Sequence, residues 1–511
     1  MNSRFTLALL LFPAACAETG PAVDQHATMT KVDSSLRVAV QASLAGMRQL
    51  STLSYGGGFQ PKTLVYETLV RRDDSGRIVP ALVENWQFED AGRAVLFTLP
   101  PSALFHDGTR VDAEAIRIHF KRWVGLPEHA WLGANQHIVD VIAVSERELR
   151  IVLDEPYALL PDLCAINPCA IRGPGSLDST GAFVRPVGTG PFRFIGENDH
   201  ETSFRLERTH EPGGPVSTGI FLDLVPFGEQ ERSSFEALLD GDVDMLVDGW
   251  HEGIPRARVA EFAADPDFEL FEGPGSAVWY LSFRLDGSTA DVELRRRIAA
   301  AVDRDALITE VELGHADPCF AWAAPTVSIW PRGTPTTGAI HNARSEPSLT
   351  IIAREGAARE TALAKALVDQ LRRRVGPITL RLLDAREYQG AVERGGYDLR
   401  LESTWGVPYD PYLSLKARFL PPSTAPSAAR NRFYGTDSRL TALVEQASRM
   451  PDQESRQGVY AQIQTLMDAE ALIVSLLVPH RIGAVRRDSG ASSIPLDHDL
   501  HRTRFERVTR R

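Results

Sequence analysis

The chain has 511 residues, 43% of them hydrophobic and 24% charged, with a formal net charge of −12. That length exceeds what one hydrophobic core usually covers, so two or three domains are expected. The negative charge argues against a nucleic-acid partner, which needs a basic face, and after the N-terminal stretch no apolar run is long enough to span a bilayer.

Residues 1–17 have the pattern of an export signal, in which a positive charge, an apolar segment and small side chains follow one another. Cys16 after two alanines resembles the end of a lipoprotein signal and is a candidate lipid anchor. Pro13 stands where such signals usually have Leu, so cleavage after Ala17 without an anchor is the alternative. In both cases residues 18–33 are predicted to be a polar tether.

Export to an oxidising compartment gives the remaining cysteines a possible structural role. Cys164 and Cys169 are near enough in sequence to close a small loop, which makes them a candidate disulfide, whereas Cys319 has no obvious partner. No Cys-x-x-Cys pair or His-rich spacing indicates a structural zinc site.

The first third of the mature chain mixes strand and helix patterns. Residues 35–40 alternate as a strand does, and a glycine loop follows that carries Tyr55 and Phe59. A helix is predicted from about Asp112, because apolar residues then recur at helical spacing.

The last half contains apolar runs at 277–283 and 471–478, which are typical of buried strands. A strand at 349–352, a helix at 360–374 and a strand at 378–383 repeat the order strand, helix, strand. This order predicts an α/β lobe.

A stiff turn follows the predicted strand at 397–401. Gly406 and Pro408 prevent the strand from continuing, so Trp405 and Tyr409 lose little conformational freedom when they contact a ligand. Such a turn suits a binding site, although aromatic side chains that brace a loop are equally common.

Several short motifs occur in an order that is specific even though each is weak alone. They are Val-Tyr-Glu-x-Leu-Val at 65–70, Pro-Ala-Leu-x-x-x-Trp at 80–86, Phe-x-Asp-Gly-Thr at 105–109, Pro-Val-Gly-Thr-Gly-Pro-Phe at 186–192 and Leu-Asp-Gly-Asp-Val-Asp at 239–244. Over nearly the whole mature chain, this order resembles the family 5 extracellular solute-binding proteins of ABC importers, the group that carries peptides and nickel.

The resemblance implies an α/β fold of the two-lobed type II periplasmic binding protein class, with an extra subdomain in the first lobe. Residues 34–275 and 481–511 would form the first lobe, with the inserted subdomain at about 71–185. Residues 276–480 would form the second lobe, and the two apolar strands would lie where the chain crosses between lobes.

Two segments, 129–141 and 404–411, are similar to the nickel-binding and metallophore-binding branch of the family. The similarity implies a ligand pocket with aromatic walls, and the candidate ligand-binding residues are Trp131, Trp405, Tyr409, Tyr388, Tyr55, Phe59, Glu128, Arg172, Arg418 and His501. The similarity also implies that His501 is a metal contact, made through a chelate. Tyr388 needs a one-residue shift to match, whereas His501 aligns without a gap.

The chain departs from that branch in its charged groups. The two family arginines that hold chelator carboxylates correspond here to Glu128 and Pro168, and Ser423 stands where the family has its metal-contacting His. Arg172 and Arg418 are candidates to supply the lost positive charge. A pocket with Glu128 instead of Arg would alternatively favour an amine or a cationic chelate.

The expected function is that of an exported, monomeric substrate-binding protein in the periplasm or on the outer face of the cytoplasmic membrane, acting with a permease and an ATPase. Its ligand is expected to be a nickel or other transition-metal chelate, with no built-in cofactor and no catalysis. Peptide binders of the family have an Asp where this chain has Pro408. The alternatives are a di- or oligopeptide ligand and a partner protein that presents its ligand to a membrane sensor.

Overall fold

The computed structural model describes residues 35–55, 58–198, 202–209, 220–227, 233–248, 253–334, 348–356, 358–419, 438–499 and 501–509. The predicted signal peptide, the tether, Cys16 and Ser423 lie outside the described residues. Within these ranges, no helix combines the length and the apolar character that a membrane crossing requires.

The strands of the described residues account for most of the framework, and several were expected from the sequence. The strand predicted at 35–40 is confirmed, as are the apolar strands near 277–283 and 471–478. The strands are β1 (Ser35–Val40), β2 (Val70–Arg72), β3 (Ile78–Pro80), β4 (Asn85–Glu89), β5 (Ala94–Thr98), β6 (Ile138–Ala143), β7 (Glu148–Leu153), β8 (Phe192–Glu197), β9 (Phe204–Arg208), β10 (Phe221–Pro226), β11 (Met245–Val247), β12 (Phe268–Gly273), β13 (Trp279–Phe283), β14 (Ala316–Pro318), β15 (Leu349–Arg354), β16 (Ile378–Leu383), β17 (Leu399–Ser403), β18 (Ile473–Pro479) and β19 (Arg481–Arg486).

Helices surround these strands. They are α1 (Leu44–Gln49), α2 (Phe59–Val65), α3 (Ala113–Phe120), α4 (Gly133–His137), α5 (Leu159–Leu163), α6 (Ile166–Cys169), α7 (Ser234–Leu239), α8 (Arg256–Ala264), α9 (Val292–Ala301), α10 (Arg304–Leu307), α11 (Ala358–Arg374), α12 (Ala385–Arg394), α13 (Pro411–Phe419), α14 (Ser438–Ser448) and α15 (Gln453–Ala469). Side-chain caps define several of their starts. Asp112 accepts a hydrogen bond from the backbone of Ala115 and starts α3 where the sequence predicted it, and Asp384 caps α12 in the same way.

A seven-stranded sheet has the order β12-β19-β11-β1-β10-β9-β8. Strand β1 pairs in parallel with both β10 and β11, whereas β19 runs antiparallel to β11 and β12. Alternate residues of this sheet, such as Val38 and Leu222, pack into one core together with Phe192 and Tyr66. Strands from both ends of the chain therefore share this sheet.

A six-stranded sheet has the order β14-β18-β13-β17-β15-β16, and its core is filled from α9 and α11. The chain passes from the seven-stranded sheet to this one between β12 and β13, and returns between β18 and β19. These passages lie at the two places where we expected the chain to cross between lobes. The limits of the lobes themselves stay a prediction.

A separate four-stranded antiparallel sheet, β4-β5-β7-β6, is formed by residues within the predicted insertion, and α3 packs on it. Its core contains Phe97 and Trp123 and continues to Trp322, Tyr412 and Tyr460 from the C-terminal half of the chain. The subdomain is therefore joined to the rest of the molecule by a shared apolar core.

A buried group of ion pairs joins the regions of the two large sheets. Arg256 on α8 contacts Glu312 at 2.9 Å and Asp248 at 3.2 Å, and Arg359 on α11 lies 3.3 Å from the same Glu312. The Glu312 side chain is 0% exposed. A carboxylate this deeply buried depends on its guanidinium partners to offset the loss of water.

The disulfide expected between Cys164 and Cys169 is absent from the structure, which corrects that interpretation. Both are free, buried thiols, as is Cys319. Their sulfurs are directed to different acceptors, since Cys164 contacts the carbonyl of Leu160 and Cys169 contacts the carbonyl of Asp162. Nearness in sequence indicated a loop but could not show where the two side chains point.

Candidate ligand-binding site

The turn after β17 holds Trp405 in place through its backbone. Gly406 has a φ of 66°, a left-handed conformation that glycine adopts without cost, and a Cβ there would lie 2.7 Å from Ser276 Oγ. The same Ser276 hydroxyl accepts a hydrogen bond from the Val407 backbone at 2.9 Å, and the Trp405 N–H donates to Ser414. The stiff turn expected from the sequence is confirmed.

Three aromatic rings meet at this turn. Trp405 lies edge-on to Trp131, with ring centroids 5.7 Å apart, and edge-on to Tyr409 at 5.4 Å; Trp131 and Tyr409 are 5.9 Å apart. Trp131 belongs to the segment before α4, whereas the other two follow β17. Residues nearly 280 positions apart in sequence thus form one aromatic surface, which we call the aromatic cluster.

Tyr55 extends the cluster on the side of Trp131. The Trp131 indole donates a hydrogen bond to the Tyr55 hydroxyl, which lies 3.0 Å from His129 Nδ1. Because an indole N–H can only donate, the Tyr55 hydroxyl accepts from Trp131 and donates to His129. His129 Nδ1 is then an acceptor, and this agrees with the pKa of His129, which burial lowers.

Phe59 and His501 extend the cluster on the side of Tyr409. The His501 ring stacks on Phe59 with a centroid distance of 4.0 Å and lies edge-on to Tyr409 at 5.2 Å. Burial lowers the pKa of His501 to about 3, with smaller contributions from Arg481 and Lys62. The imidazole is therefore neutral throughout the physiological range.

The structure thus brings six of the expected site residues together, and their contact with a ligand stays a prediction. These six are Tyr55, Phe59, Trp131, Trp405, Tyr409 and His501. Glu128 lies beside them as an exposed side chain in the turn before His129. Burial raises the pKa of Tyr55, and the carboxylate of Glu128 adds to that effect.

Tyr388 and Arg418 lie elsewhere, around Glu402 on β17. Arg418 forms an ion pair with Glu402 at 2.9 Å, and Arg400 pairs with the same carboxylate at 3.2 Å. Tyr388 on α12 packs against a small core and lies beneath the guanidinium of Arg354. Arg418 is thus engaged by a protein carboxylate, which leaves it a weak candidate to replace the family arginines.

Arg172 is buried under the loop that leads to Tyr55. One of its nitrogens donates to Ser51 Oγ at 3.2 Å, and its guanidinium faces the ring of Phe183. No carboxylate among the described residues pairs with it, and burial lowers its pKa to about 10.

Asp410, one residue after Tyr409, is occupied by structural contacts. It pairs with Arg72 at 2.9 Å and with Arg456 at 3.8 Å, and it accepts a hydrogen bond from Tyr460. Burial alone would raise the pKa of Asp410, but the two guanidinium groups outweigh that effect and lower it. This carboxylate is not available to a ligand amine.

Sequence reasoning missed Lys62, His129 and Asn167, which lie beside or within the cluster. Lys62 on α2 is fully buried, and its ammonium donates to the Ser54 carbonyl and to Asn167 Oδ1. The available sequence signal was its position three residues after Phe59, which places both residues on one face of α2.

A small cavity of about 70 Å³ lies next to His501, lined by Thr63, Glu67, Pro408, Asp499 and Arg502. Burial raises the pKa of Asp499 to about 6, with a further effect from Asp497. Ligand pockets usually measure roughly 300–1,000 Å³, so this cavity is smaller than such a pocket.

No group of three or more His, Cys, Asp or Glu side chains that could hold a metal ion occurs among the described residues. His501 as a metal contact through a chelate stays a prediction. The arrangement as it stands offers flat aromatic faces, hydroxyl and imidazole hydrogen-bonding groups, and two buried cations.

The fold has solved relatives. NikA from Brucella suis, solved in complex with Fe(III)-EDTA, matches with a TM-score of 0.78 and 20% identity over 93% of this chain and 100% of that chain. This chain has two large sheets and passes between them twice, as expected for a two-lobed fold. The chain thus has the fold of the two-lobed type II periplasmic binding proteins.

The family model described as bacterial extracellular solute-binding proteins, family 5 Middle, matches residues 77–424. The chain belongs to this family of transport binding proteins, and it is a substrate-binding component of an ABC importer, which acts with permease and ATPase subunits. The resemblance found in the sequence is confirmed.

Relatives within the family differ in what they bind. The nickel-binding periplasmic protein of Escherichia coli (strain K12) is 24% identical over 452 residues, 81% of this chain and 84% of the relative. The probable D,D-dipeptide-binding periplasmic protein DdpA of the same organism is 23% identical over 416 residues, 77% of this chain and 78% of the relative. Both kinds of ligand occur among the similar proteins.

Proposed function

We propose that this protein captures a transition-metal chelate, of nickel or another metal, between its two lobes and delivers it to an ABC permease. The observation that carries the proposal is the aromatic cluster, in which Trp131, Trp405 and Tyr409 meet within 6 Å of one another. The protein would act after export, in the periplasm or at the outer face of the membrane.

The chemistry of a chelate matches such a cluster. A chelator supplies most of the metal's ligands, so the protein has to recognise the outer surface of the complex rather than the ion. Flat aromatic faces and a few charged groups suit that task. The residues available for it are Tyr55, Phe59, Trp131, Trp405, Tyr409 and His501, with Glu128 at the rim and Arg172 beneath the loop at 51–55.

A peptide ligand has less support from the contacts of the turn. The position at which peptide binders hold the amino terminus with an Asp is Pro408, whose carbonyl accepts a hydrogen bond from Arg72. The neighbouring Asp410 is enclosed by Arg72, Arg456 and Tyr460. A peptide ammonium would therefore lack a carboxylate partner in this turn.

The test is to purify the protein from its native host without chelators and to identify what it carries. We expect native mass spectrometry to show a bound small molecule and metal analysis of the same sample to show about one transition-metal ion per chain. Release of a di- or oligopeptide without metal would contradict the proposal and would favour the peptide alternative. Unfolded protein, which loses the ligand, serves as the control.

A further inference from the structure

Lys62 has an unusual environment for a lysine. Its side chain is 0% exposed, although lysine is rarely buried without a carboxylate partner. Its ammonium donates to the Ser54 carbonyl at 2.5 Å and to Asn167 Oδ1 at 3.3 Å, both of which are neutral. No aspartate or glutamate among the described residues forms an ion pair with it.

The donor count leaves Lys62 incompletely satisfied. An ammonium has three N–H donors, and the contacts of Lys62 use two, one of them long. Removing a cation from water without an opposite charge nearby costs free energy, which favours the neutral amine. Burial therefore lowers the pKa of Lys62 to about 7.

The position of Lys62 connects it to the aromatic cluster. Its acceptor Ser54 directly precedes Tyr55, and Asn167 donates to the same Ser54 carbonyl at 2.6 Å. Lys62 follows Phe59 on α2 by three residues, and its charge contributes to the lowered pKa of His501. The ammonium therefore contacts the neutral Asn167 amide and the loop that carries Tyr55.

Arg172 lies under the same loop and also has no carboxylate partner among the described residues. It contacts Ser51, three residues before the acceptor of Lys62. Lys62 and Arg172 are thus two buried cations that contact the loop at 51–54 and form no ion pair with an acid among the described residues. Glu128, at the rim, is exposed and forms no ion pair with either of them.

We propose that Lys62 receives a carboxylate of the bound ligand, so that the site selects anionic, carboxylate-bearing chelates. This inference deepens the proposed function and rests on it for the choice of ligand. In the bound state, the third N–H of the ammonium donates to this carboxylate. On binding, Lys62 takes up a proton from solvent whenever the pH exceeds its pKa.

The experiment uses Fe(III)-EDTA, an anionic carboxylate chelate, as the probe, and isothermal titration at pH 8 in two buffers of different ionisation enthalpy. Wild type is expected to bind with uptake of about one proton, because a lysine with a lowered pKa becomes charged beside an anion. Lys62→Met is expected to lose at least about tenfold in affinity and to show no proton uptake. Lys62→Arg, which is always charged, should retain more affinity than Lys62→Met without proton uptake.

Lys416→Met is the matched control. Lys416 is also largely buried with a lowered pKa, but it lies above the ring of Tyr157 and near Asp162. This variant should bind Fe(III)-EDTA within about twofold of wild type and keep the proton uptake. If Lys62→Met does not fold, Asn167→Asp replaces it, because a carboxylate beside Lys62 should repel the chelate and abolish the uptake.

Equal affinities of wild type and Lys62→Met, with the same proton uptake, would overturn the role of Lys62 and leave the proposed function intact. Failure of wild type to bind Fe(III)-EDTA, together with recovery of a metal-free peptide from the native protein, would overturn both. Tight binding of Fe(III)-EDTA by wild type, weakened in Lys62→Met and in Asn167→Asp, would support the role of Lys62 and the proposed function.

Discussion

The imidazole of His501 stacks on the ring of Phe59, with centroids 4.0 Å apart and an interplanar angle of 3°. This contact joins the C-terminal segment to helix α2, more than 440 positions earlier in the chain. It also buries the imidazole so completely that its pKa falls to about 3. The His501 side chain is therefore a neutral aromatic ring at every physiological pH.

Folding stability should depend on pH through two of the buried histidines, His501 and His119. Burial lowers the pKa of both to about 3, while the unfolded chain has about 6.5, so between these values only the unfolded state binds the proton. This stability is present above pH 6.5 and is lost as the pH falls. Each histidine should cost about 2 kcal/mol of unfolding free energy between pH 7 and 5.

The predicted loss of unfolding free energy can be measured by urea unfolding of wild type, His119→Gln and His501→Phe at pH 7, 6 and 5. Each variant should lose stability less steeply than wild type over that range, whatever its stability at pH 7. Asp162, whose pKa burial raises to about 6, acts in the opposite direction but equally in all three proteins. Parallel pH profiles would contradict the neutral, buried state of the replaced histidine.

Trp405→Ala should weaken binding of Fe(III)-EDTA by about 2 kcal/mol or more, because it removes a fixed ring that contacts both Trp131 and Tyr409. Isothermal titration measures the change. Trp86→Ala is the control, since Trp86 is also half-buried but lies on β4 of the subdomain sheet. Wild-type affinity in Trp405→Ala would remove the aromatic cluster from the binding site.

Glu312→Gln should destabilise the protein by about 3–5 kcal/mol, because it leaves Arg256 and Arg359 buried beside an uncharged group. The midpoint of urea unfolding reports the change. Glu310→Gln, on the same helical turn but exposed, should alter stability by less than about 0.5 kcal/mol. A similar small effect for both variants would show that the ion pairs contribute little.

All three described cysteines should react with an alkylating agent in denaturant without reductant, since Cys164, Cys169 and Cys319 are free thiols. In the native state their reaction should be slow, because burial raises the pKa of each thiol and covers the sulfur. Mass spectrometry counts the added groups. Protection of only Cys164 and Cys169 in denaturant would restore the disulfide interpretation.

Motif order predicted the fold, and the resemblance to the family predicted the candidate site residues, among which Trp405 and Tyr409 also had a local signal. Trp405 was predictable because Gly406 and Pro408 make the turn stiff, and the structure shows the glycine conformation that this requires. The sequence could not show that Arg418 would pair with Glu402, since that depends on the neighbouring strand. A long cationic side chain can form an ion pair with any acidic side chain that the fold brings near it.

Lys62 shows a second limit of sequence reasoning. Within the segment Phe59–Val65, only the position of Lys62 on the same helix face as Phe59 indicated burial, because the groups that its ammonium contacts, Ser54 and Asn167, come from other segments. The failed disulfide has the same origin, since spacing gives distance along the chain and not the direction of a side chain. Contacts between segments that are remote in sequence determine the burial of Lys62 and the directions of the two cysteine side chains.

Strand β19 lies between β11 and β12, although more than 190 residues separate β12 from it in sequence. A protein delivered N-terminus first therefore presents β11 with one unpaired edge, and β12 with no sheet partner, until nearly its last residues arrive. Exposed edges of this kind favour pairing between chains. Premature termination anywhere before residue 481 would leave these edges unpaired, so the product should aggregate rather than fold into a functional fragment.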